Sequence, residues 1–352
     1  MNAVQQPTLM RIPMRTLRRQ TRYALEGVDD ILVYKVAMTT RFRGVTRREG
    51  LLLHGHVGWG EAAPFWNYDD LESSRWLAAA LESARCFPPV PRRKFVPVNV
   101  TIPVISPEEA YERVKASGGC STAKIKVAEP GVSVGRDCAR IAAVAEALRE
   151  TVGGQAMIRL DANGAWEVDQ AREAIPAMAS AAGVVPIEYV EQPCPTVDEL
   201  AQVRRSADVP IAADESIRRA EDPLEVARKE AADVVIIKVA PLGGVRAALK
   251  VARKSGLGVV VSSALETSVG LSVGVAAAAA VPGVPRAAGL ATASLLVGDV
   301  TQPLIPERGC LPVGRLEPDQ ELIDRTPVDG DLVTRWGMRL EGMAEHLRVG
   351  SR

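Results

Sequence analysis

The chain has 352 residues, of which 47% are hydrophobic and 4% aromatic, so a large core built mainly from aliphatic side chains can be buried. The 43 Lys and Arg residues balance the 43 Asp and Glu residues, which removes any electrostatic reason to expect nucleic acid or an anionic membrane as a partner. The presence of only three histidines leaves almost no material for a histidine-based zinc site or a serine–histidine triad.

The N-terminal segment carries basic residues that no apolar run follows, so we expect no secretory signal peptide. We predict that residues 1–20 form a poorly ordered extension. The five cysteines are odd in number and include no C-x-x-C pair. This pattern argues against a disulfide framework or a zinc knuckle and favours a reducing cytoplasm. The longest apolar run, around Val273–Val281, is too short to span a bilayer.

The first structured region is predicted to be a small α+β unit. Short strands are predicted at Ile31–Lys35, Arg48–His56 and Val57–Glu61. A helix follows from Leu71 to about Ala84, where apolar residues recur at helical spacing. The proline-rich segment Pro88–Pro91 indicates a boundary. We therefore predict an α+β domain over residues 21–95, to which an irregular tail of about residues 302–352 returns.

The region from 96 to 301 alternates apolar strands with alanine-rich helices. The strands are predicted at Val98–Val104, Thr122–Val127, Ala156–Leu160, Ile187–Val190, Ile211–Ala213, Val234–Val239 and Val259–Val261. The helices are predicted at Val134–Glu150, Val168–Ala181, Val197–Arg205, Pro223–Glu230 and Val245–Ser255. Continuous apolar strands are typical of a parallel sheet buried on both faces. With an eighth strand near Ala287–Leu290, the pattern favours a closed α/β barrel of the TIM type over an open sheet.

Three carboxylates, Asp161, Glu191 and Asp214, stand where predicted strands end, and Lys238 stands at the end of the next strand. The successive spacings are 30, 23 and 24 residues, and each fits one strand–helix repeat. Because strand ends converge at one rim of a barrel, we expect these groups to lie together. Three like charges at close range need a positive compensator, and an oxygen-ligated divalent cation such as Mg²⁺ is the natural candidate.

Lysines fit the same chemistry. Lys124 and Lys126 are two residues apart on one strand, so they face the same side, which is the barrel interior if Ile125 faces the helices. Lys238 arrives from roughly the opposite wall. Two amines flanking a metal can remove and return a proton on the carbon next to a carboxylate, while the metal stabilises the enediolate. A neighbouring positive charge would lower the pKa of a lysine towards the neutrality that a base requires.

These residues resemble the enolase superfamily in its muconate-lactonizing-like branch. The motifs that carry the resemblance are Lys124-x-Lys126, Asp161-Ala-Asn163, Glu191-Gln-Pro, Ala-Asp214-Glu215-Ser and Lys238. Further segments are similar to the actinobacterial type of the o-succinylbenzoate synthase family, namely Arg41–Gly44, Trp59–Glu61, Thr122–Pro130 and Val239–Gly244. The resemblance covers nearly the whole chain and implies a (β/α)₇β barrel with a capping domain that the C-terminal tail completes.

The resemblance also implies a reaction, the dehydration of 2-succinyl-6-hydroxy-2,4-cyclohexadiene-1-carboxylate to o-succinylbenzoate in menaquinone biosynthesis. Mg²⁺, which Mn²⁺ can replace, would be bound by Asp161, Glu191 and Asp214. Lys126 would abstract the proton alpha to the substrate carboxylate and then protonate the departing hydroxyl, giving syn elimination. Lys238 would stabilise the enediolate from the other side, and Lys124 would support the carboxylate and lower the pKa of Lys126.

The remaining roles that the resemblance implies concern the surroundings of the metal and the substrate. Asn163 and Glu215 would lie beside the ligands, with Asn163 near the substrate. Ser262 and Ser263 would lie near its succinyl tail. Apart from the resemblance, Arg41 and Arg43 are candidates to bind the substrate carboxylate from a mobile cap loop.

Other interpretations stay open at this point. A single strand-end Asp is more often a helix cap, Asp214 and Glu215 can exchange roles, and Arg41 and Arg43 can be solvated surface residues.

Racemisation of an N-succinylamino acid is an alternative reaction, because two opposed lysines can exchange an alpha proton. Lactone isomerisation is a weaker alternative. A barrel retained as a non-catalytic binding protein is the alternative outside enzymes, and it predicts a missing ligand or lysine. The sequence leaves the oligomeric state open between a monomer and a small homo-oligomer.

Overall fold

The structure is a computed structural model that describes residues 6–42, 44–325 and 329–347. Two large clusters of buried apolar side chains divide it into an antiparallel cap and a parallel barrel. A third, small cluster fills the barrel interior and includes Tyr189, Val234 and Val260.

The cap is a four-stranded antiparallel sheet in which the strands follow one another in chain order. Its strands are β1 (Thr8–Arg11), β2 (Val28–Phe42), β3 (Val45–Gly55) and β4 (Gly58–Ala62). A 3₁₀ turn at Met14–Thr16 and a short helix α1 (Arg19–Ala24) join the first two strands. Helix α2 (Asp70–Arg85) is capped by Asp69, whose side chain accepts a hydrogen bond from the Glu72 amide. The helix packs on the sheet with Trp76 buried.

The prediction of a poorly ordered extension over residues 1–20 is wrong for the described part of that segment. Strand β1 pairs with β2 from Thr8 to Arg11, opposite Lys35 to Leu32. Leu9 and Met10 are buried in the cap core. The order of this four-residue segment depends on tertiary contacts. Strand β2 supplies its hydrogen bonds, and the cap core covers its apolar side chains. Residues 1–5 lie outside the described residues.

The barrel wall is a seven-stranded parallel sheet whose neighbours follow chain order, which confirms the predicted fold class. Its strands are β6 (Asn99–Ile102), β7 (Thr122–Lys126), β8 (Met157–Asp161), β9 (Ile187–Glu191), β10 (Ile211–Ala213), β11 (Val234–Ile237) and β12 (Gly258–Val261). In β11, Val234 and Ile236 face the interior cluster while Val235 and Ile237 face the helices. Both faces of the sheet are therefore buried, as a parallel sheet requires.

Helices alternate with these strands around the outside of the barrel. They are α3 (Pro107–Lys115), α4 (Val134–Val152), α5 (Val168–Ala182), α6 (Val197–Ser206), α7 (Glu215–Arg218), α8 (Glu225–Arg228), α9 (Val245–Ser255) and α10 (Ser268–Ala280), with 3₁₀ turns at Gly153–Gln155 and Ala293–Leu295. Helices α3 and α6 begin in capping boxes, at Ser106 with Glu109 and at Thr196 with Glu199. These pairs satisfy amide groups that the first helical turn leaves unpaired.

The predicted eighth strand closes the barrel through two isolated bridges at residues 288 and 289. On one side, the Ala288 amide donates to the Pro97 carbonyl at 2.7 Å, and the Ala288 carbonyl accepts from the Asn99 amide at 3.0 Å. On the other side, the Gly289 amide donates to the Val261 carbonyl at 2.8 Å. The segment thus joins the first and last strands of the parallel sheet.

The C-terminal tail returns to the cap, but it is more regular than the sequence suggested. A short pair of strands, β5 (Phe95–Pro97) and β13 (Cys310–Pro312), begins this return, and helices α11 (Gln320–Arg325) and α12 (Gly330–Glu345) follow. Helix α12 packs along α2, with Trp336 fully buried and Arg339 donating to the Phe65 carbonyl at 2.8 Å. Across the residues described, no helix is both long enough and apolar enough to cross a membrane.

Candidate active site

The three predicted carboxylates lie side by side at the C-terminal rim of the barrel. Asp161 and Glu191 are the last residues of β8 and β9 and stand directly opposite each other in the strand pairing. Asp214 directly follows β10. Each of the three residues is only 1% exposed. The rim therefore concentrates three carboxylates in a region with little access to water.

Lys124 and Lys126 contact these carboxylates from the neighbouring strand β7. The Nζ atom of Lys124 lies 2.8 Å from Asp161 Oδ2 and 3.1 Å from Glu191 Oε1. The Nζ atom of Lys126 lies 2.5 Å from the same Asp161 Oδ2. Ile125, between them, belongs to the cluster packed under the helices. The two lysines thus face inward, as the alternation of side chains along a strand predicts.

Lys238 reaches the row of carboxylates from its other end. It directly follows β11, and its Nζ atom lies 2.6 Å from Asp214 Oδ2. It is 6% exposed. Lys126 and Lys238 therefore contact opposite ends of the row, one at Asp161 and the other at Asp214.

Burial and charge pairing shift the pKa values of Lys124 and Lys126 in different directions. Burial lowers the pKa of Lys126, and the ammonium of Lys124 acts in the same direction, although Asp161 opposes both. Burial also acts to lower the pKa of Lys124, but the attraction of Asp161 and Glu191 outweighs it, so that this pKa lies well above the usual value. Lys126 is thus the more readily deprotonated of the pair.

The pKa values of the three carboxylates are also shifted in different directions. Asp161 and Asp214 are buried, which alone would raise their pKa values, but the charges of Lys124 and Lys238 respectively hold each pKa below its usual range. Glu191 lies between the two aspartates, and its pKa is raised by burial and by the negative charge of Asp161. The centre of the row thus carries negative charge that its neighbours do not fully balance.

Asn163 and Glu215 stand beside the row and are linked to it. The Nζ atom of Lys126 donates to Asn163 Oδ1 at 2.7 Å, and Asn163 Nδ2 donates to Glu215 Oε1 at 3.3 Å. The backbone of Asn163 has φ 49°, a left-handed conformation that asparagine tolerates better than most residues. Glu215 Oε2 is buried and has no hydrogen-bond partner among the described atoms.

The predicted substrate-binding residues are less closely tied to the row. Ser262 and Ser263 follow β12 at the same rim, but the Ser262 hydroxyl donates to the Gly289 carbonyl and Ser263 shares a hydrogen bond with Thr292 at 2.8 Å. Arg41 is exposed near the tip of the β2–β3 hairpin, and no contact joins it to the described residues of the rim. Arg43 lies outside the described residues. The substrate roles of these residues remain predictions.

Two buried residues of the rim were missed from the sequence. Arg218 contacts both Asp214 and Glu215, and its position four residues after Asp214 is a signal that helical spacing offers. Glu266 follows β12, is 8% exposed and accepts a hydrogen bond from the Ala264 amide at 2.7 Å. Burial raises its pKa, and the charges of Arg48 and Lys238 lie close enough to oppose that rise. No local pattern singles out Glu266.

The carboxylates form an oxygen donor set that suits a hard divalent cation. In the arrangement that the structure describes, no three ligating residues converge on one empty point, because lysine ammonium groups lie against the carboxylates. One of these ammonium groups, on Lys124, already contacts both Asp161 and Glu191, which shows that two carboxylates can reach a single cation. The raised pKa of Glu191 and the unpaired Glu215 Oε2 also fit an additional positive group. The residues present therefore fit a divalent metal once the lysine ammonium groups move off the carboxylate oxygens.

Comparisons with known proteins agree with this geometry. The model of the enolase C-terminal domain-like family matches residues 107–318, and that of the enolase N-terminal domain-like family matches residues 33–84. The o-succinylbenzoate synthase of Thermobifida fusca is 54% identical over 297 residues, covering 84% of this chain and 91% of that protein. The o-succinylbenzoate synthase of Mycobacterium tuberculosis is 48% identical over 292 residues, covering 83% of this chain and 86% of that protein.

Solved structures share the fold. The L-Ala-D/L-Glu epimerase of Bacillus subtilis superposes with a TM-score of 0.67 at 25% identity, covering 83% of this chain and 96% of that one. The muconate lactonizing enzyme of Pseudomonas fluorescens superposes with a TM-score of 0.69 at 19% identity, covering 84% of this chain and 98% of that one. The family models and the sequence relatives confirm the resemblance that the strand-end motifs carried.

Proposed function

Because the chain belongs to the o-succinylbenzoate synthase family of the enolase superfamily, we propose that it dehydrates 2-succinyl-6-hydroxy-2,4-cyclohexadiene-1-carboxylate to o-succinylbenzoate. Membership of this family makes the chain a carbon–oxygen lyase. The observation that carries the reaction is the placement of Lys126 and Lys238 at opposite ends of the buried carboxylate row. The product would serve menaquinone biosynthesis.

Lys126 is the proposed base. Its neutral amine removes the proton from the ring carbon next to the substrate carboxylate, and the resulting ammonium then protonates the hydroxyl that leaves from the same face. One C–H and one C–O bond break, the ring gains a double bond and becomes aromatic, and water departs. The lowered pKa of Lys126 favours the neutral amine at the start of this cycle.

The other rim residues support that proton transfer. Lys238 supplies positive charge on the opposite side, where negative charge develops on the substrate carboxylate. Lys124 stays protonated, lowers the pKa of Lys126 and helps to bind the carboxylate. Asp161, Glu191 and Asp214 would hold Mg²⁺, or Mn²⁺ in its place. The cation would supply further positive charge for the same carboxylate.

The experiment is a UV assay of the purified full-length protein with Mg²⁺ and the cyclohexadiene carboxylate. Formation of the aromatic product at an enzymatic rate supports the proposal. A correctly folded protein that gives no turnover contradicts it.

Racemisation of an N-succinylamino acid is the second candidate, because two opposed lysines can exchange an alpha proton by a two-base route. The fold shared with an epimerase of Bacillus subtilis favours keeping it. Exchange of deuterium from solvent into an N-succinylamino acid, with loss of optical activity, would identify this reaction. A non-catalytic binding barrel predicts that a carboxylate or lysine of the rim is missing, yet all six are present.

The proposed partner is a small-molecule carboxylate. The balanced charge of the sequence favours neither nucleic acid nor a membrane surface as a further partner. A cytoplasmic location rests on the cysteine pattern and stays a prediction. The oligomeric state, a monomer or a small homo-oligomer, is likewise left open.

A further inference from the structure

A tyrosine of the cap contacts a buried arginine of the barrel rim. Tyr68 lies in the loop between β4 and α2, is 6% exposed and packs edge-on against Phe65. Its hydroxyl accepts a hydrogen bond from Arg218 Nη1 at 3.1 Å. The guanidinium of Arg219 also lies over the Tyr68 ring, 5.4 Å from its centroid. The ring is thus fixed on both sides, and its hydroxyl points at the rim.

The guanidinium of Arg218 donates through its other nitrogens to the two carboxylates that follow β10. Nε donates to Asp214 Oδ1 at 3.2 Å, and Nη2 donates to Glu215 Oε1 at 2.6 Å. Arg218 is 3% exposed, so its charge is balanced by these partners with little help from water. Because a guanidinium is planar and rigid, the position of Tyr68 helps to set the direction of the bonds to Asp214 and Glu215.

The chain of contacts continues from Glu215 to the proposed base. Asn163 donates through Nδ2 to Glu215 and accepts through Oδ1 from Lys126. A carboxylate can only accept and an ammonium can only donate, so these two partners together fix which end of the Asn163 amide faces each of them. The path therefore runs from Tyr68 through Arg218, Glu215 and Asn163 to Lys126 without a break.

We propose that Tyr68 and Arg218 are positioning residues, which couple the seating of the cap on the barrel to the orientation of Lys126. Neither residue contacts the reacting atoms. They act through Glu215 and Asn163, which hold the amine where it can reach the alpha proton. The inference rests on the proposed function, because it assigns these residues a part in the same proton transfer.

The cap offers a matched control in Tyr34. This tyrosine is also buried and also supports a contact between the cap and the barrel, since its hydroxyl donates at 2.6 Å to Oε1 of Glu61, which lies on β4 of the cap. Glu61 binds Thr267 and Gly270 at the start of α10. In the described residues these contacts end on the helix and do not lead to Lys126. Removing either hydroxyl therefore weakens a cap–barrel contact, but only one of the two contacts connects to the base.

The first test compares Tyr68→Phe with Tyr34→Phe in the dehydration assay. Loss of one hydrogen bond corresponds to about 0.5–1.5 kcal/mol, so we expect kcat of Tyr68→Phe to fall roughly twofold to twelvefold. We expect KM to change less than twofold. Tyr34→Phe is expected to keep kcat within twofold of the original protein. Equal kcat values for the two variants, or a change confined to KM, overturn the proposal.

A double-mutant cycle tests whether the effect travels through the amide. In Asn163→Ala the path is already broken, so adding Tyr68→Phe is expected to lower kcat no further. Effects on kcat that multiply in the double variant would show that Tyr68 acts by another route and would contradict the relay.

A third measurement does not depend on turnover. The rate at which acetic anhydride labels Lys126 can be followed by peptide mass spectrometry in each variant. We expect at least twofold faster labelling in Tyr68→Phe, because the amine is held less firmly, and no change in Tyr34→Phe. If the original protein fails to turn over the substrate, the proposed function is wrong, and this labelling still decides the relay. Identical labelling rates at Lys126 in all three proteins overturn it.

Discussion

Two of the contacts between the cap and the barrel each use a buried tyrosine, and these two contacts end differently. At the first, Glu61 of β4 accepts from the Tyr34 hydroxyl and from both the amide and the hydroxyl of Thr267, with the Gly270 amide as a fourth donor. At the second, Tyr68 meets Arg218, whose remaining nitrogens bind the carboxylates beside the proposed base.

We call the first contact closed, because the hydrogen bonds of Glu61 lead no further than the cap and the start of α10. All its donors lie on the cap or at the N-terminus of α10, where the unpaired amides and the helix dipole favour a carboxylate. A Cβ atom at Gly270 would lie 2.7 Å from Glu61 Oε2, so the approach depends on glycine at this position. The second contact is open, because it passes from one side chain to the next until it reaches Lys126. We infer that a cap contact ending on backbone groups serves stability, whereas one ending on mobile side chains serves the reaction.

The largest expected effect is the loss of turnover when the divalent cation is removed. This effect distinguishes the rim, which needs the cation, from the Glu61 contact, which does not. Dialysis against EDTA should lower turnover by about a thousandfold or more, and Mg²⁺ should restore it, because the rim charges are arranged for a divalent ion. Added Mg²⁺ at 100 times its Kd should raise the free energy of unfolding by about 2.7 kcal/mol. Activity that withstands EDTA contradicts the prediction.

The matched variants are Glu191→Ala and Glu61→Ala. Scanning calorimetry with and without Mg²⁺ should show no upward shift of Tm in Glu191→Ala and a normal shift in Glu61→Ala. A Mg²⁺-dependent shift that persists in Glu191→Ala would remove Glu191 from the cation site.

The next effect concerns stability at the closed contact. Glu61→Ala leaves several buried donors of Thr267, Gly270 and Tyr34 without an acceptor, which should lower the free energy of unfolding by about 2–4 kcal/mol. Urea denaturation measures this loss. We expect kcat of the folded variant to stay within about threefold of the original. A loss below about 1 kcal/mol, or a large fall in kcat, would erase the distinction between the two contacts.

A smaller effect is expected in the pH dependence of kcat/KM, which reports on Lys126 at the end of the second contact. The base must be neutral, so kcat/KM rises with pH through the pKa of Lys126, which burial and then Lys124 lower. Lys124→Met removes a neighbouring positive charge and leaves Asp161 and Glu191 less compensated. Both changes favour the protonated amine, so the rising limb should move to higher pH by about one unit or more. Lys254→Met, at an exposed lysine of α9, should leave the limb in place, and a limb that moves to lower pH in Lys124→Met would contradict the assignment.

The rim could be predicted from the sequence because barrel geometry repeats. Residues at the ends of successive parallel strands meet at one edge of a barrel, whatever the helices between them contain. The spacing of Asp161, Glu191, Asp214 and Lys238 was therefore enough to predict that they lie together. The inward direction of Lys124 and Lys126 followed from the alternation along one strand.

The parts that were missed depend on contacts between distant segments. Tyr68 and Glu61 acquire their roles only when the cap sits on the barrel, and nothing in their neighbourhood in the sequence indicates the partner. Strand β1 is only four residues long and forms because β2 pairs with it. Helix α12 of the tail, by contrast, carries its own signal, because Leu332, Trp336 and Leu340 recur at helical spacing.

The most direct test of the account is the turnover of the cyclohexadiene carboxylate by Lys126→Ala in saturating Mg²⁺, beside Lys254→Ala as the control at an exposed lysine. Calorimetric titration with Mg²⁺ would establish that each variant still binds the cation. The account predicts that Lys126→Ala binds Mg²⁺ but loses at least about a thousandfold in kcat, while Lys254→Ala keeps full activity. If Lys126→Ala keeps kcat within tenfold of the original, Lys126 is not the base and the assignment of the site is wrong.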